Sequence, residues 1–317
     1  MKRPLVGALA AALLGATAAT GLAATPALAA PHDTPTGSTT GATGTVSTTG
    51  TGFHRADAPA PAVDAAPEAR DGLRAPDFAG TVALSNCSGS LVRVPQSEPT
   101  DPALVLSNGH CLESGMPGPG EVVVDQPSSR RFTLLDARAN DVATLRATKV
   151  AYGTMTRTDV SLYELNSTYA QIESRYGIEA LDIAPEHPSA GTDITVVSGY
   201  WKRTYSCRID TFVYELREAG WSFSDSIRYT PECDTIGGTS GSPIVNDATG
   251  EVIGVNNTGN TDGGRCTLNN PCEVDENGDV TVHEGINYGQ QTYLLTDCIG
   301  TGNKLDLGLP ECELPRP

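Results

Sequence analysis

Beyond residue 76, short apolar runs alternate with turns rich in glycine, proline, asparagine and aspartate. Runs of four to eight residues with alternating polar positions are typical of β-strands that bury one face. They predict strands over 81–84, 90–94, 104–106, 122–124, 132–135, 160–165, 194–197 and 252–255. A helical pattern is found only over 167–176 and 288–295. The pattern predicts one mostly-β domain over residues 77–317, without internal repeats.

The first 76 residues lack this pattern and predict export. Lys2 and Arg3 precede an alanine- and leucine-rich run over 5–22, and residues 27–29 (Ala-Leu-Ala) fit the small-x-small rule for signal-peptidase cleavage. A signal peptide over 1–29 is therefore expected, and a secreted, extracellular protein. A single membrane anchor is the alternative, but Thr17, Thr20 and several glycines interrupt the apolar run that a spanning helix needs.

Residues 30–76 are of low complexity, first rich in threonine and glycine and then in alanine and proline. Such segments bury too little apolar surface to fold. We interpret them as a propeptide, with Arg70 and Arg74 as accessible cleavage points, or as a linker that stays attached.

Charge and cysteine content narrow the class further. The formal net charge is −17, which makes nucleic acid an improbable partner and attracts cationic substrates. All eight cysteines follow residue 76, and an even number in an exported chain favours disulfides. No C-x-x-C pair and no suitably spaced histidine is present, so neither a metal nor another cofactor is expected.

The segment 238–243, Gly-Thr-Ser-Gly-Ser-Pro, sets Ser240 among small residues. Glycine permits a sharp turn that exposes a nucleophilic hydroxyl and leaves backbone N–H groups free to bind an oxyanion. An ordinary turn between strands is the alternative, because such turns are abundant. A serine nucleophile also needs a histidine base and a carboxylate that orients it.

Of the five histidines, His110 is the best candidate for the base. It ends an apolar strand that runs into a small-residue turn, Ser-Asn-Gly-His-Cys, whereas His32, His54, His187 and His283 lie in low-complexity or loop-like segments. A core histidine beside a disulfide is the alternative interpretation.

For the carboxylate we favour Asp159, which opens the predicted strand over 160–165 and can therefore be held rigidly. Asp125, Asp136 and Asp141 also lie between His110 and Ser240. Spacing alone leaves them as alternatives, although a solvated surface charge is the usual role of aspartate.

The order His110, Asp159, Ser240, with Cys87-Ser-Gly-Ser-Leu-Val upstream of Asn-Gly-His-Cys111, resembles the chymotrypsin-like (trypsin-like) serine peptidases. In motif the chain is most similar to secreted bacterial V8, or glutamyl endopeptidase-like, peptidases. The resemblance covers roughly residues 79–298. It implies two antiparallel six-stranded β-barrels with the active site between them, and an oxyanion hole formed by the N–H groups of Gly238 and Ser240.

The resemblance also implies a Cys87–Cys111 disulfide beside the histidine, and it places Asp234, Thr235 and Asn256 at the substrate pocket. Proximity along the chain suggests the remaining pairs, Cys207–Cys233, Cys266–Cys272 and Cys298–Cys312. An acid at the position of Asp234 binds lysine or arginine in trypsin-like members, but the neighbouring Cys233 alters its setting, and capping a turn is the alternative role.

Two departures from the family pattern limit what the resemblance implies. Thr239 stands where digestive members carry the aspartate that pairs with a freed N-terminus, so that mode of zymogen activation is not expected. The strand after the serine, residues 252–259, has no histidine of the kind that glutamyl-specific members use.

The sequence therefore predicts a secreted serine endopeptidase, a monomer that acts on protein or peptide substrates. A catalytically silent, protease-like binding module is the alternative from another class.

Overall fold

Residues 76–317, the part of the chain described by the computed structural model, form two closed antiparallel β-barrels. The expected signal peptide and nearly all of the expected propeptide lie outside the described residues. The strands before residue 190 are β1 (Thr81–Ala83), β2 (Ser88–Arg93), β3 (Pro102–Ser107), β4 (Val122–Pro127), β5 (Arg131–Leu135), β6 (Asp141–Thr154), β7 (Val160–Thr168) and β8 (Leu181–Asp182).

The first barrel is a ring of six strands in the order β1-β5-β6-β7-β3-β2, closed by pairing of β2 with β1. Strand β4 pairs with β6 outside this ring, and β8 lies parallel to β2. Strands β2 and β3 are buried on both faces, which explains the nearly continuous apolar run of β3. Leu91 and Val105 fill the barrel, while Leu104 and Leu106 face a second core shared with residues 252–255 and 295–314.

The second barrel is a ring in the order β11-β16-β13-β12-β9-β10, closed by pairing of β10 with β11. Its strands and those that follow are β9 (Asp193–Ser198), β10 (Arg203–Glu218), β11 (Trp221–Tyr229), β12 (Pro243–Asn246), β13 (Val252–Gly259), β14 (Cys272–Val274), β15 (Val280–Thr281), β16 (Asn287–Gln291), β17 (Ile299–Gly300) and β18 (Lys304–Leu305). The predicted all-β class and the two six-stranded rings are thus confirmed.

Helices are few within the described residues. Helix α1 (Tyr169–Tyr176) begins at a capping box formed by Thr168 and Gln171 and ends at Gly177, whose φ is 65°. The predicted second helix over 288–295 was wrong in its first half, since Asn287–Gln291 is strand β16 and only Tyr293–Thr296 is helix α2. No helix among residues 76–317 is long and apolar enough to cross a membrane.

The long strands β6, β10 and β11 had no counterpart in the prediction. Strand β10 carries arginine and aspartate at exposed positions between its buried ones, so its apolar positions do not form a continuous run. Its hairpin with β11 extends from the second barrel toward the first, where the Arg157 backbone bonds with Ser222 and Ser224. The end of this hairpin thereby forms one wall of the cleft between the barrels.

All eight cysteines form disulfides in the pairs that the sequence suggested. The bonds are Cys87–Cys111, Cys207–Cys233, Cys266–Cys272 and Cys298–Cys312.

Candidate active site

His110 lies in a 3₁₀ turn, Gly109–Cys111, that directly follows strand β3. The buried Asn108 fixes this turn to strand β7: its side-chain amide donates to the Asp159 carbonyl at 2.8 Å, and its carbonyl accepts from the Ser161 hydroxyl at 2.7 Å. A Cβ atom on Gly109 would overlap the Thr154 carbonyl, so only glycine fits there. The turn therefore holds His110 at the edge of the cleft.

Asp159 orients His110 through both of its carboxylate oxygens. Its Oδ2 lies 2.7 Å from His110 Nδ1, and its Oδ1 accepts the His110 backbone N–H at 3.0 Å. Asp159 is only 1% exposed. Burial opposes protonation of the imidazole, but the charge and hydrogen bond of Asp159, with the more distant charge of Glu218, outweigh it and raise the pKa of His110 above its ordinary value.

Ser240 is presented by a turn that backbone bonds hold in place. The Ser240 carbonyl accepts from Ser88 N–H at 2.8 Å, and Gly241 N–H donates to the Asn256 carbonyl at 2.9 Å. Gly238 and Gly241 have φ values of 89° and 81°, and a Cβ atom on Gly241 would overlap the Ser88 carbonyl. These two positions therefore require glycine.

The Ser240 hydroxyl donates to the Asn257 carbonyl at 3.3 Å. Within residues 76–317 it makes no hydrogen bond to His110. Both side chains nevertheless line the same cleft. Rotation about one side-chain bond changes the direction in which the hydroxyl points.

Thr239 is buried, and its hydroxyl stabilises the turn from inside. It donates to the Ile236 carbonyl at 2.5 Å and accepts from the Asn256 side-chain amide at 3.1 Å. The Ser242 hydroxyl donates to the Thr239 carbonyl at 2.6 Å. The N–H groups of Gly238 and Ser240 donate to no group within the described residues, so both remain free donors on the serine turn.

The cleft has a volume of about 560 Å³ and contains every predicted substrate-pocket residue. Thr235 donates to Asn287 Oδ1 at 2.9 Å, and Asn256 Oδ1 accepts from the Tyr229 hydroxyl at 3.2 Å. These bonds give the wall beside Ser240 a polar, uncharged surface. Asp234 is exposed at the rim of the same cleft.

The other candidate acids and histidines lie elsewhere. Asp125 pairs with a lysine, Asp141 pairs with another lysine, and Asp136 caps the turn at Asn140. His187 and His283 bond to groups on the second barrel, and His32 and His54 lie outside the described residues. Asp159 is therefore the carboxylate that the structure brings to His110.

Three potential metal-ligand atoms, from Cys87, His110 and Cys111, lie within 4.8 Å of one another. Both sulfurs belong to one disulfide, so they are not thiolates that bind a metal.

Sequence reasoning missed two groups in the cleft. The first is the Asn257 carbonyl that accepts from Ser240, and the second is Glu218, at the end of β10. Glu218 is 7% exposed and ends an alternating strand that contains two other acids, Asp210 and Glu215, so nothing in its local pattern distinguishes it.

Comparison with known proteins agrees with this geometry. The family model described as Trypsin-like peptidase domain matches residues 87–255, more than half of the chain. The fold and this match define the class as serine endopeptidases, which are hydrolases. The chain belongs to the trypsin-like peptidase family. No curated protein matches it.

Among solved structures, the chain is similar to the Rv3671c protease from M. tuberculosis in its active form, with 14% identity over 80% of this chain and 97% of that one, and a TM-score of 0.43. It is similar to a Glu endopeptidase in complex with MPD, with 16% identity over 70% of this chain and 88% of that one, and a TM-score of 0.39. It is also similar to a thermostable serine protease AL20 from an extremophilic microorganism, with 17% identity over 68% of this chain and 91% of that one, and a TM-score of 0.41.

Proposed function

We propose that the protein is a secreted endopeptidase that cleaves peptide bonds through a triad of His110, Asp159 and Ser240. The observation that carries this proposal is the double contact between Asp159 and His110, at 2.7 and 3.0 Å, in the cleft into which Ser240 is turned. A buried carboxylate on Nδ1 leaves Nε2 as the nitrogen that accepts a proton.

The reaction follows from these positions. Ser240 Oγ rotates from the Asn257 carbonyl toward His110 Nε2, gives up its proton there and attacks the peptide carbonyl. The N–H groups of Gly238 and Ser240 bind the oxyanion of the tetrahedral intermediate. The C–N bond then breaks as His110 donates its proton to the leaving amine. Water, deprotonated by His110, hydrolyses the acyl-enzyme and restores Ser240.

Substrate contacts are assigned to Asp234, Thr235 and Asn256. Thr235 and Asn256 form the wall beside Ser240 and offer hydroxyl and amide groups without charge. Asp234 adds a solvated acid at the rim. We therefore expect the residue that precedes the scissile bond to have a neutral side chain.

Export and processing are proposed from the chain's first 76 residues. We assign 1–29 as signal peptide, 30–76 as propeptide or linker, and 77–317 as a monomeric peptidase domain. The four disulfides are consistent with an oxidising compartment. Because Thr239 is held by Ile236 and Asn256, propeptide removal should either unblock the cleft or have no effect, and it should not form the oxyanion hole. N-terminal sequencing of protein from culture medium tests the two cleavage sites.

The test of the function compares purified wild-type protein with Ser240→Ala on a library of unstructured peptides. We expect kcat to fall by about 10⁴-fold or more in Ser240→Ala. Ser224→Ala, an exposed serine on β11, is the matched control and should retain wild-type kcat. If the wild-type protein binds peptides without cleaving them, or Ser240→Ala cleaves as fast, the protein is a binding module or uses another nucleophile.

A further inference from the structure

Glu218 is a buried acid in the cleft that the triad does not use. It ends strand β10, is 7% exposed, and lines the cleft together with His110 and Asp159. Its Oε1 accepts the Asn269 backbone N–H at 2.7 Å, and it also bonds to the Thr258 side chain. These two bonds fix the carboxyl group at the end of the β10–β11 hairpin.

Glu218 has no cationic partner within residues 76–317. Neighbouring acids differ in this respect: Glu215 pairs with Arg217 at 2.7 Å, and Glu273 pairs with Arg228 at 2.9 Å. Burial raises the pKa of Glu218, because its carboxylate has lost water without gaining a counter-ion. A buried carboxylate in this state is stabilised by any cation that enters the cleft and bonds to it.

The other charges of the cleft also favour binding of a cation. Its acids are Asp159, Glu218, Asp234 and Asp262, and it contains neither lysine nor arginine. The wall also contains large apolar side chains: Met116, Met155, Trp221 and Leu268. Thioether and indole surfaces cover the methylene stem of a long cationic side chain, and an indole ring also attracts the charge itself.

Glu218 and the pocket beside Ser240 have different hydrogen-bond partners. It bonds to Thr258 and Asn269, whereas Thr235 bonds to Asn256 and Asn287 next to the serine turn. Glu218 is therefore held independently of the groups beside Ser240, and a substrate residue other than the one whose carbonyl is attacked can reach it.

We propose that Glu218 is a specificity-determining residue that binds a lysine or arginine side chain of the substrate, located two to four residues before the scissile bond. The ammonium or guanidinium group bonds to the carboxylate, and its aliphatic stem packs on the Met155 and Trp221 side. This inference rests on the proposed peptidase function. It concerns a position separate from the residue next to the scissile bond.

The experiment uses N-acetylated peptides with one fixed cleavage site, in which the second, third or fourth residue before the bond is lysine or its uncharged analogue norleucine. We expect the wild-type protein to prefer lysine by about tenfold or more in kcat/KM at one of these positions. In Glu218→Gln, which can still accept the Asn269 N–H, that ratio should fall to within twofold of one. Glu215→Gln, an acid on the same strand, should keep the wild-type ratio.

A structural role for Glu218 would lower kcat/KM for both peptides equally and leave their ratio unchanged. An unchanged ratio in Glu218→Gln, a ratio lost in Asp234→Asn instead, or no preference for lysine in the wild-type protein would overturn the proposal. Binding of the same peptides to Ser240→Ala, followed by intrinsic tryptophan fluorescence and calorimetry, gives the lysine preference without turnover. Failure of the peptidase function would abolish hydrolysis but leave this binding preference, so the two failures are distinguishable.

Discussion

The two barrels hold their parts of the active site by different means. In the first barrel, side chains position the proposed base: Asp159 binds His110 twice, and the Asn108 side chain ties their two elements together. In the second barrel, the backbone positions the proposed nucleophile, through Ser88 N–H to the Ser240 carbonyl and through Gly238 and Gly241 at positive φ. Substitution of a side chain that positions His110 should therefore abolish the alignment of this residue, whereas substitution of a side chain that supports the Ser240 turn should weaken the turn only in part.

The largest effect is expected for Asp159→Asn, which keeps the shape of the side chain that contacts His110 but removes its negative charge. The amide fixes the wrong imidazole tautomer and does not stabilise the imidazolium, so kcat should fall by about 10⁴-fold. Steady-state kinetics at pH 7 and above measure this. Asp136→Asn, at an exposed turn, is the control and should leave kcat unchanged. A loss below tenfold in Asp159→Asn would mean that another acid orients His110.

A smaller effect is expected for Thr239→Val, which removes a buried hydroxyl that supports the serine turn from inside. The substitution leaves the Asn256 amide without its acceptor and costs about 1–3 kcal/mol in the free energy of unfolding. We expect kcat to fall by about 10–100-fold, less than removal of the base, because the backbone bonds remain. Thr204→Val, at an exposed position of β10, is the control that measures how replacing threonine by valine alone changes the free energy of unfolding.

The turn that holds Ser240 should not depend on where the amino terminus of the chain lies. A chain that begins at Asp77 and one that carries two additional residues should have the same kcat within about twofold, because Thr239 forms no ion pair with a terminal amine. A loss of about a hundredfold in the longer chain would show that the terminus organises the oxyanion hole.

The smallest expected effect is a shift in pH dependence. Protonated His110 cannot accept the serine proton, so kcat/KM should fall as the pH drops through the pKa of His110. Asp159 and Glu218 both raise that pKa, which places the midpoint above the ordinary histidine value of about 6.5. In Glu218→Gln the midpoint should move to lower pH, and in Glu215→Gln it should stay. A midpoint in Glu218→Gln at or above that of the wild type would show that Glu218 does not act on His110.

The sequence allowed us to predict those features that depend on local signals, and not those that depend on long-range contacts. The glycines around Ser240 and the apolar strand before His110 are local signals, because only glycine tolerates the close contacts at Gly109 and Gly241. Strand β16 was misassigned in part because its glycine allows close contact with Ile244 and Tyr229 across the barrel, which local sequence does not encode. Glu218 reaches the cleft only because the β10–β11 hairpin spans the barrels.

The central claim is that Ser240 is a nucleophile activated by His110 and Asp159. Reaction of the purified protein with a peptidyl diphenyl phosphonate, followed by mass spectrometry of its peptides, tests this most directly. We expect one phosphonyl group per chain, on Ser240, with loss of activity in the same proportion. Labelling should be absent in Ser240→Ala and strongly slowed in His110→Ala. A protein that stays unlabelled, or that is labelled at another residue, would contradict the account.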